Sequence, residues 1–293
     1  MKRTPANLSA CIGFALALIA TSAQAERMIG LVGTSAGSGL VRFDSNTPGS
    51  LTAVGPLSGA LPGHSVRAID FRPLDGKLYA VSHNGIDTGQ LYSVDPDTAV
   101  MTPIGPGFAL AYTGLRISMD FNPVADRLRV VDSVRDSLRV NPITGILAGT
   151  DSLLTYSAGD PQFGGTPAVA DVAYANNSIG TSTTTLFAWD YTTDSLITIG
   201  SFGGAPVSPN SGMLFTVATP ATRFTSSAAI GFDISGISST AYVSHDLAAA
   251  PGVDQLDTVN LINGVRVTLG SFGATRVMDI SAYTDRIFAN GFQ

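Results

Sequence analysis

The chain has 293 residues, with 22 acidic against 16 basic side chains, 44% hydrophobic residues and a single cysteine. The acidic balance argues against nucleic acid and anionic membrane surfaces as partners, because both select for basic patches. One cysteine excludes an intrachain disulfide and a thiolate metal site, so stability must come from packing.

Met1-Lys2-Arg3 opens a leader that continues with an apolar run from Ala10 to Ala20 and ends in Ala23-Gln24-Ala25. A positive start, a short apolar core and a small-x-small end predict a secretory signal at 1–25, cut between Ala25 and Glu26. The run is too short to remain as a membrane-spanning helix. Cys11 precedes the apolar core instead of following it, which disfavours a lipid anchor, and cleavage would remove it. The expected product is secreted, to the periplasm or the medium, as a monomer without a transmembrane helix, and it keeps 14 basic and 22 acidic residues, a charge of −8.

The mature chain begins with strand-like segments at Met28–Val32, Gly39–Asp44 and Leu51–Val54, separated by turn residues such as Asn46-Thr47-Pro48-Gly49. From Val66 a longer pattern appears: Val66–Phe71, the turn Arg72-Pro73-Leu74-Asp75-Gly76, Leu78–Val81, then Leu91–Pro96 and Met101–Gly105. It recurs from Arg116, with Met119–Pro123, Leu128–Val131, Leu138–Pro142 and a last strand near Leu153–Tyr156. A more diffuse third copy runs from Val169 to Tyr174, through Leu186–Asp190 and Leu196–Ile199, to Met213–Val217. The fourth uses Ile230–Ile234, Thr240–Val243, Leu256–Asn260 and Val265–Leu269. The N-terminal unit lacks the first strand of the pattern, and Arg276–Ile280 supplies it in register with Arg67–Phe71.

Short strands repeating at this period predict a radial architecture, because one small sheet cannot bury both faces alone. The expectation is an all-β fold: a β-propeller of five four-stranded blades over 26–283, closed by the N- and C-terminal strands. A β-sandwich is the competing architecture, and 201–225 has room for an extra sheet. Residues 284–293 form a tail ending Ile287-Phe288-Ala289-Asn290-Gly291-Phe292-Gln293. It reads equally as a sorting or recognition tag and as a terminus packed on a neighbouring blade.

The segments Phe71–Ala80, Gly89–Pro96, Asp120–Val131, Leu138–Gly145 and Gly231–Ile234 together resemble the bacterial domain of unknown function DUF4394. The resemblance covers about residues 28–283 and is most specific from Asp120 to Gly145. It implies a secreted, propeller-like repeat domain and transfers no activity.

Asp70, Asp120, Asp171, Asp233 and Asp279 occupy comparable places in the first strand of the five units. Lining a central channel, they would form a carboxylate ring able to hold Ca²⁺, a possible cofactor that takes six to eight oxygen ligands. The same carboxylates serve equally as acceptors for turns or as partners of Arg67, Arg116 and Arg276. Arg127, Arg129, Arg135 and Arg139 are interleaved with Asp126, Asp132 and Asp136. This set reads as a salt-bridge ladder or, at Arg129, Arg139 and Asn141, as an anion site. The catalytic inventory is thin: His64, His83 and His245 are the only histidines, the first two expected on the surface, and no Gly-x-Ser-x-Gly motif accompanies them. Trp189, Tyr191 and Tyr174 would offer a sugar-stacking platform if exposed, and otherwise belong to the core. The leading functional expectation is a non-enzymatic binding or envelope protein whose partner is a protein, a glycan or a small molecule. A calcium-dependent lactonase-like hydrolase and a carbohydrate-binding module are the alternatives.

Overall fold

The computed structural model describes residues 25–35, 37–111, 116–220, 224, 230–247 and 250–284. The leader at 1–24 and the tail from 285 lie outside the described residues. The strands are β1 (Arg27–Thr34), β2 (Gly37–Asp44), β3 (Thr47–Pro56), β4 (Ser65–Phe71), β5 (Leu78–His83), β6 (Thr88–Val94) and β7 (Met101–Ala109). They continue with β8 (Ile117–Asn122), β9 (Arg127–Asp132), β10 (Ser137–Val140), β11 (Leu147–Thr150) and the two-residue β12 (Thr155–Tyr156). Then come β13 (Val169–Tyr174), β14 (Leu186–Asp190), β15 (Ser195–Ile199) and β16 (Met213–Ala218). The last are β17 (Ile230–Ile234), β18 (Ala241–Leu247), β19 (Ala250–Val259), β20 (Arg266–Ser271) and β21 (Val277–Ala282).

These strands form five sheets, ordered β21-β1-β2-β3, β4-β5-β6-β7, β8-β9-β10-β11, β13-β14-β15-β16-β12 and β17-β18-β19-β20, antiparallel throughout except for the parallel pair of β16 and β12. They are the five blades of a β-propeller, and the first is completed by the C-terminal β21 beside the N-terminal β1, as the sequence predicts. The first strands β21, β4, β8, β13 and β17 adjoin one another in that order and close a ring around the axis. Pairing the two ends of the chain in one sheet leaves no unpaired inner edge at the closure.

The core is divided into five wedges between consecutive blades. Leu78 and Ala80 point into the wedge between the first and second blades, whereas Tyr79 and Val81 point into the next wedge. Side chains alternate across a strand, so a blade covered on both faces must be apolar at successive positions. All six residues of β5 are buried for this reason. The third copy of the sequence pattern, which is the fourth blade, is regular at its centre, and Met213–Ala218 pairs with Ser195–Ile199 in it instead of forming part of an extra sheet. One boundary differs from the expectation. The outer strand of the third blade is Leu147–Thr150, while Thr155–Tyr156 pairs in parallel with Met213–Leu214 of the next blade.

Two recurring turns set the hairpins. Gly76, Asp126 and Ser239 have φ of 66°, 49° and 61°, and each donates its N–H to the carbonyl four residues back. Gly145 repeats the device in the next hairpin, and its role is also steric. A Cβ there would lie 2.0 Å from the Ile104 carbonyl oxygen of the neighbouring blade, and one on Gly105 would lie 2.0 Å from that of Thr144. Glycine at both positions lets the two blades touch through their backbones. We therefore expect Gly145→Ala to destabilise the domain by about 2 kcal/mol or more. Ser239→Gly, which relieves a left-handed residue on an exposed turn, is expected to raise the unfolding midpoint by about 1–3 °C. Thermal unfolding of the two variants checks both signs.

Candidate functional site

At the axis, the five inner-strand aspartates are all buried. Each reaches sideways to a backbone N–H of the next blade. Asp70 Oδ2 accepts from Phe121 at 3.0 Å, Asp171 Oδ2 from Phe232 at 2.8 Å, Asp233 Oδ2 from Ala282 at 2.5 Å and Asp279 Oδ2 from Ile69 at 2.7 Å. Asp120 completes the circuit on the N–H of Tyr174. These N–H groups belong to inner strands whose sheets end at the channel, so no further strand is available to receive them.

The second oxygens are treated unequally. In Asp171, Asp233 and Asp279 the Oδ1 atom accepts the N–H of the following residue, at 2.9, 2.7 and 2.9 Å. Asp70 Oδ1 receives the Ser281 hydroxyl at 2.9 Å. Asp120 has lost that option because the next N–H, that of Phe121, is already donated to Asp70. Its Oδ1 is fully buried and has no hydrogen-bond donor.

The ring also divides by charge. Arg116, which leads into β8, crosses the axis and donates to the carbonyl oxygens of Ala170, Ile230 and Met278. Burial and the neighbouring Asp279 raise the pKa of Asp171 well above the usual range, and burial raises that of Asp279 to about 6; the charge of Arg116 offsets part of each rise. Asp70, Asp120 and Asp233 form the other group, with one oxygen of each no more than 4.8 Å from the others. Burial and the neighbouring carboxylates raise the pKa of Asp70 and Asp120 well above the usual range.

The second cluster lies between the third and fourth blades. Arg129 on β9 stands directly opposite Arg139 on β10, a like-charge pairing that is unfavourable without an anion between the two. The anion is Asp151, just beyond β11 and 2% exposed, which accepts from Arg129 Nη1 and, at 2.9 Å, from Arg139 Nε. Gly149 makes room for this arrangement, since a Cβ there would lie 2.5 Å from Arg139 Nη2. Arg129 also donates to Tyr174 Oη at 3.2 Å, Ser137 Oγ at 2.8 Å and Asn210 Oδ1 at 2.7 Å. Burial works against its charge, but Tyr174 and Asp151 outweigh it and hold the guanidinium above its ordinary pKa. A pocket of about 220 Å³ opens over this cluster, lined among others by Asn122, Arg127, Arg129, Arg139, Tyr174 and Asn210. Among the described residues Arg127 donates to the carbonyls of Ala125 and Asp126, so three guanidinium groups border a pocket backed by the carboxylate of Asp151.

The structure brings Arg129 and Arg139 together but not Asn141, whose Oδ1 accepts the Ile143 and Thr144 N–H groups in a turn away from the pocket. The expected ladder with Asp126, Asp132 and Asp136 does not form. Asp126 pairs with Arg72 of the second blade, and Asp132 accepts the N–H groups of Val134 and Asp136 in its own turn. Asp151 and Asn210 carried no sequence signal, because neither lies in a repeat position. One histidine departs from expectation: His83 is buried between Leu110 O and Gly85 N. His245, of which no exposure was expected, is buried against Asp257. Trp189 and Tyr174 are 1% exposed and belong to wedges between blades, so they present no stacking face.

Residues 39–281 match the model of the domain of unknown function DUF4394. The chain belongs to this family. No curated protein matches it as a relative. Among solved structures, a protein of unknown function from Bacteroides thetaiotaomicron aligns at 14% identity over 89% of this chain and 65% of its own, with a TM-score of 0.52. An engineered GH43 glycoside hydrolase with endo-xylanase and exo-arabinofuranosidase activity aligns at 11% identity over 86% of this chain and 53% of its own, with a TM-score of 0.51. The periplasmic gluconolactonase of Pseudomonas aeruginosa aligns at 19% identity over 84% and 67%, with a TM-score of 0.43. This DUF4394 chain therefore spans about two thirds of the first structure and half of the second, and the likeness is one of fold alone.

The buried Asp132 gives a pH test for this region. Burial raises its pKa to about 6. A carboxyl group with a folded pKa above its unfolded value near 3.9 stabilises the fold fully below that lower value. The contribution is lost as pH climbs through about 6. We expect Asp132→Asn to gain on the wild type between pH 4 and pH 8, by up to about 2–3 kcal/mol, as read from denaturant midpoints at both pH values. A constant difference would show that Asp132 does not titrate in this range.

Proposed function

We propose that this DUF4394 protein is an exported, non-enzymatic binding protein that holds a small anionic ligand, a carboxylate or phosphate compound, in the pocket between its third and fourth blades. The observation carrying this reading is the arginine excess there: Arg127, Arg129 and Arg139 border one cavity and only Asp151 offsets them. Arg129 is immobilised by four side chains, so its position is set before a ligand arrives, which lowers the entropy cost of binding. Planar guanidinium groups suit carboxylate and phosphate recognition.

Several features support binding over hydrolysis. The channel carboxylates are buried and engaged with backbone N–H groups, out of reach of a substrate. His83 and His245 are likewise enclosed. Export is supported by the leader at 1–25, and Glu26, the expected new N-terminus, is buried with its N–H on Ser45 Oγ at 2.9 Å while Ala25 is exposed.

Isothermal titration with inorganic phosphate and with a panel of sugar acids tests the ligand class. Saturable one-to-one binding is expected, and Arg127→Gln should weaken it about tenfold or more while leaving the unfolding midpoint unchanged, since Arg127 is not part of the buried network. Absence of binding to every anion, or unaltered binding in the variant, would reject the pocket. Mass spectrometry of the exported protein is expected to find Glu26 as its first residue.

A further inference from the structure

We infer that Asp70, Asp120 and Asp233 form a structural binding site for a hard divalent cation such as Ca²⁺ at the propeller axis. The inference is separate from the anion pocket and assigns the cation no part in a reaction.

The first support is the charge division of the ring. Asp171 and Asp279 have Arg116, whose guanidinium lies among carbonyl oxygens of the fourth, fifth and first blades. For Asp70, Asp120 and Asp233 the charges that act most strongly are all carboxylates: Asp70, Asp171, Asp233, Asp279 and Glu26. Three buried carboxylates in mutual contact are stable only with shared protons or with a cation among them.

The second support is independent of the clustering. Eight oxygens of Asp70, Asp171, Asp233 and Asp279 each have a hydrogen-bond donor. Asp120 Oδ1 has none, although Asp120 is 2% exposed. A buried acceptor left without a donor costs about 1–3 kcal/mol, and more when charged. The unequal bonding follows from the backbone itself, because Asp70 takes the N–H that would otherwise serve Asp120. The orphaned oxygen is thus fixed in place, on a side chain whose ligand atom lies within 4.8 Å of those of Asp70 and Asp233.

Carboxylate oxygens that all lie within 4.8 Å of one another can share one hard cation, and Ca²⁺, which takes six to eight oxygen ligands in flexible geometry, is the probe for the site. Oxygen ligands without histidine or cysteine likewise suit a hard cation and disfavour zinc or copper. A cation here would join inner strands of the second, third and fifth blades, β4, β8 and β17.

The test strips the exported protein of metal with a chelator, returns CaCl₂, and follows thermal unfolding together with metal analysis. Near-stoichiometric Ca²⁺ and a rise in midpoint of about 5–10 °C at hundredfold saturation are expected. Asp120→Asn should fold, since its amide oxygen can still accept from Tyr174, but should lose the Ca²⁺ response. Asp171→Asn, in the pair served by Arg116, should keep it. Wild type that neither retains Ca²⁺ nor shifts would overturn the inference, as would an undiminished shift in Asp120→Asn. Should Asp120→Asn fail to fold, Asp233→Asn takes its place with the same expected loss, and retained Ca²⁺ binding there overturns the inference equally.

Discussion

Each blade is fastened to the next at the axis by one buried carboxylate that accepts a backbone N–H across the gap, and the closed ring depends on this contact. An inner strand has a sheet partner on one side only, so its outward N–H groups face the axis, where the surrounding aspartates are buried. An aspartate on the neighbouring inner strand is long enough to reach them and carries two acceptor oxygens. Charge-assisted bonds of this kind are each worth about 1.5–3 kcal/mol when formed, and the burial of five carboxylates opposes much of that gain. The contact therefore specifies how blades are phased around the axis more than it adds stability.

The phasing has a consequence at Asp120. The aspartates sort into a pair beside Arg116 and a group of three whose strongest charged neighbours are carboxylates. One side chain from outside the ring, Arg116 at the entry to β8, offsets part of the burial cost of the pair. The second group retains an oxygen that no backbone donor can reach. A fold that repeats one sequence unit five times thus produces unequal sites, and the inequality is where specific chemistry becomes available.

The arginine pocket arises from the same geometry farther from the axis. Blades diverge outward, so wedges that are dry near the channel open into clefts near the surface. Arg129 and Arg139 face each other across a hairpin, Asp151 comes from the chain leaving that blade, and Asn210 comes from the outer loop of the next. The network ties the third blade to the fourth while keeping one face of the arginines open, and Arg127 adds charge at the rim.

The amino-acid sequence by itself determined the blade pattern, the closure of the first blade by the last strand and the equivalence of the five aspartates. These are set by local periodicity and turn chemistry, which repeat at fixed spacing and survive as text. Only the tertiary structure decided which N–H each aspartate holds, that Asp120 is left with a free oxygen, that Arg116 reaches three other blades, and that Asp151 stands between Arg129 and Arg139. Those contacts join residues from 12 to 210 positions apart, and their partners are chosen by how neighbouring blades sit against one another, which no single repeat contains. The burial of His83 was hidden for the same reason, because its cover comes from Leu110 in the chain beyond its own blade, whereas the core reading of Trp189 and Tyr174 was available in the sequence.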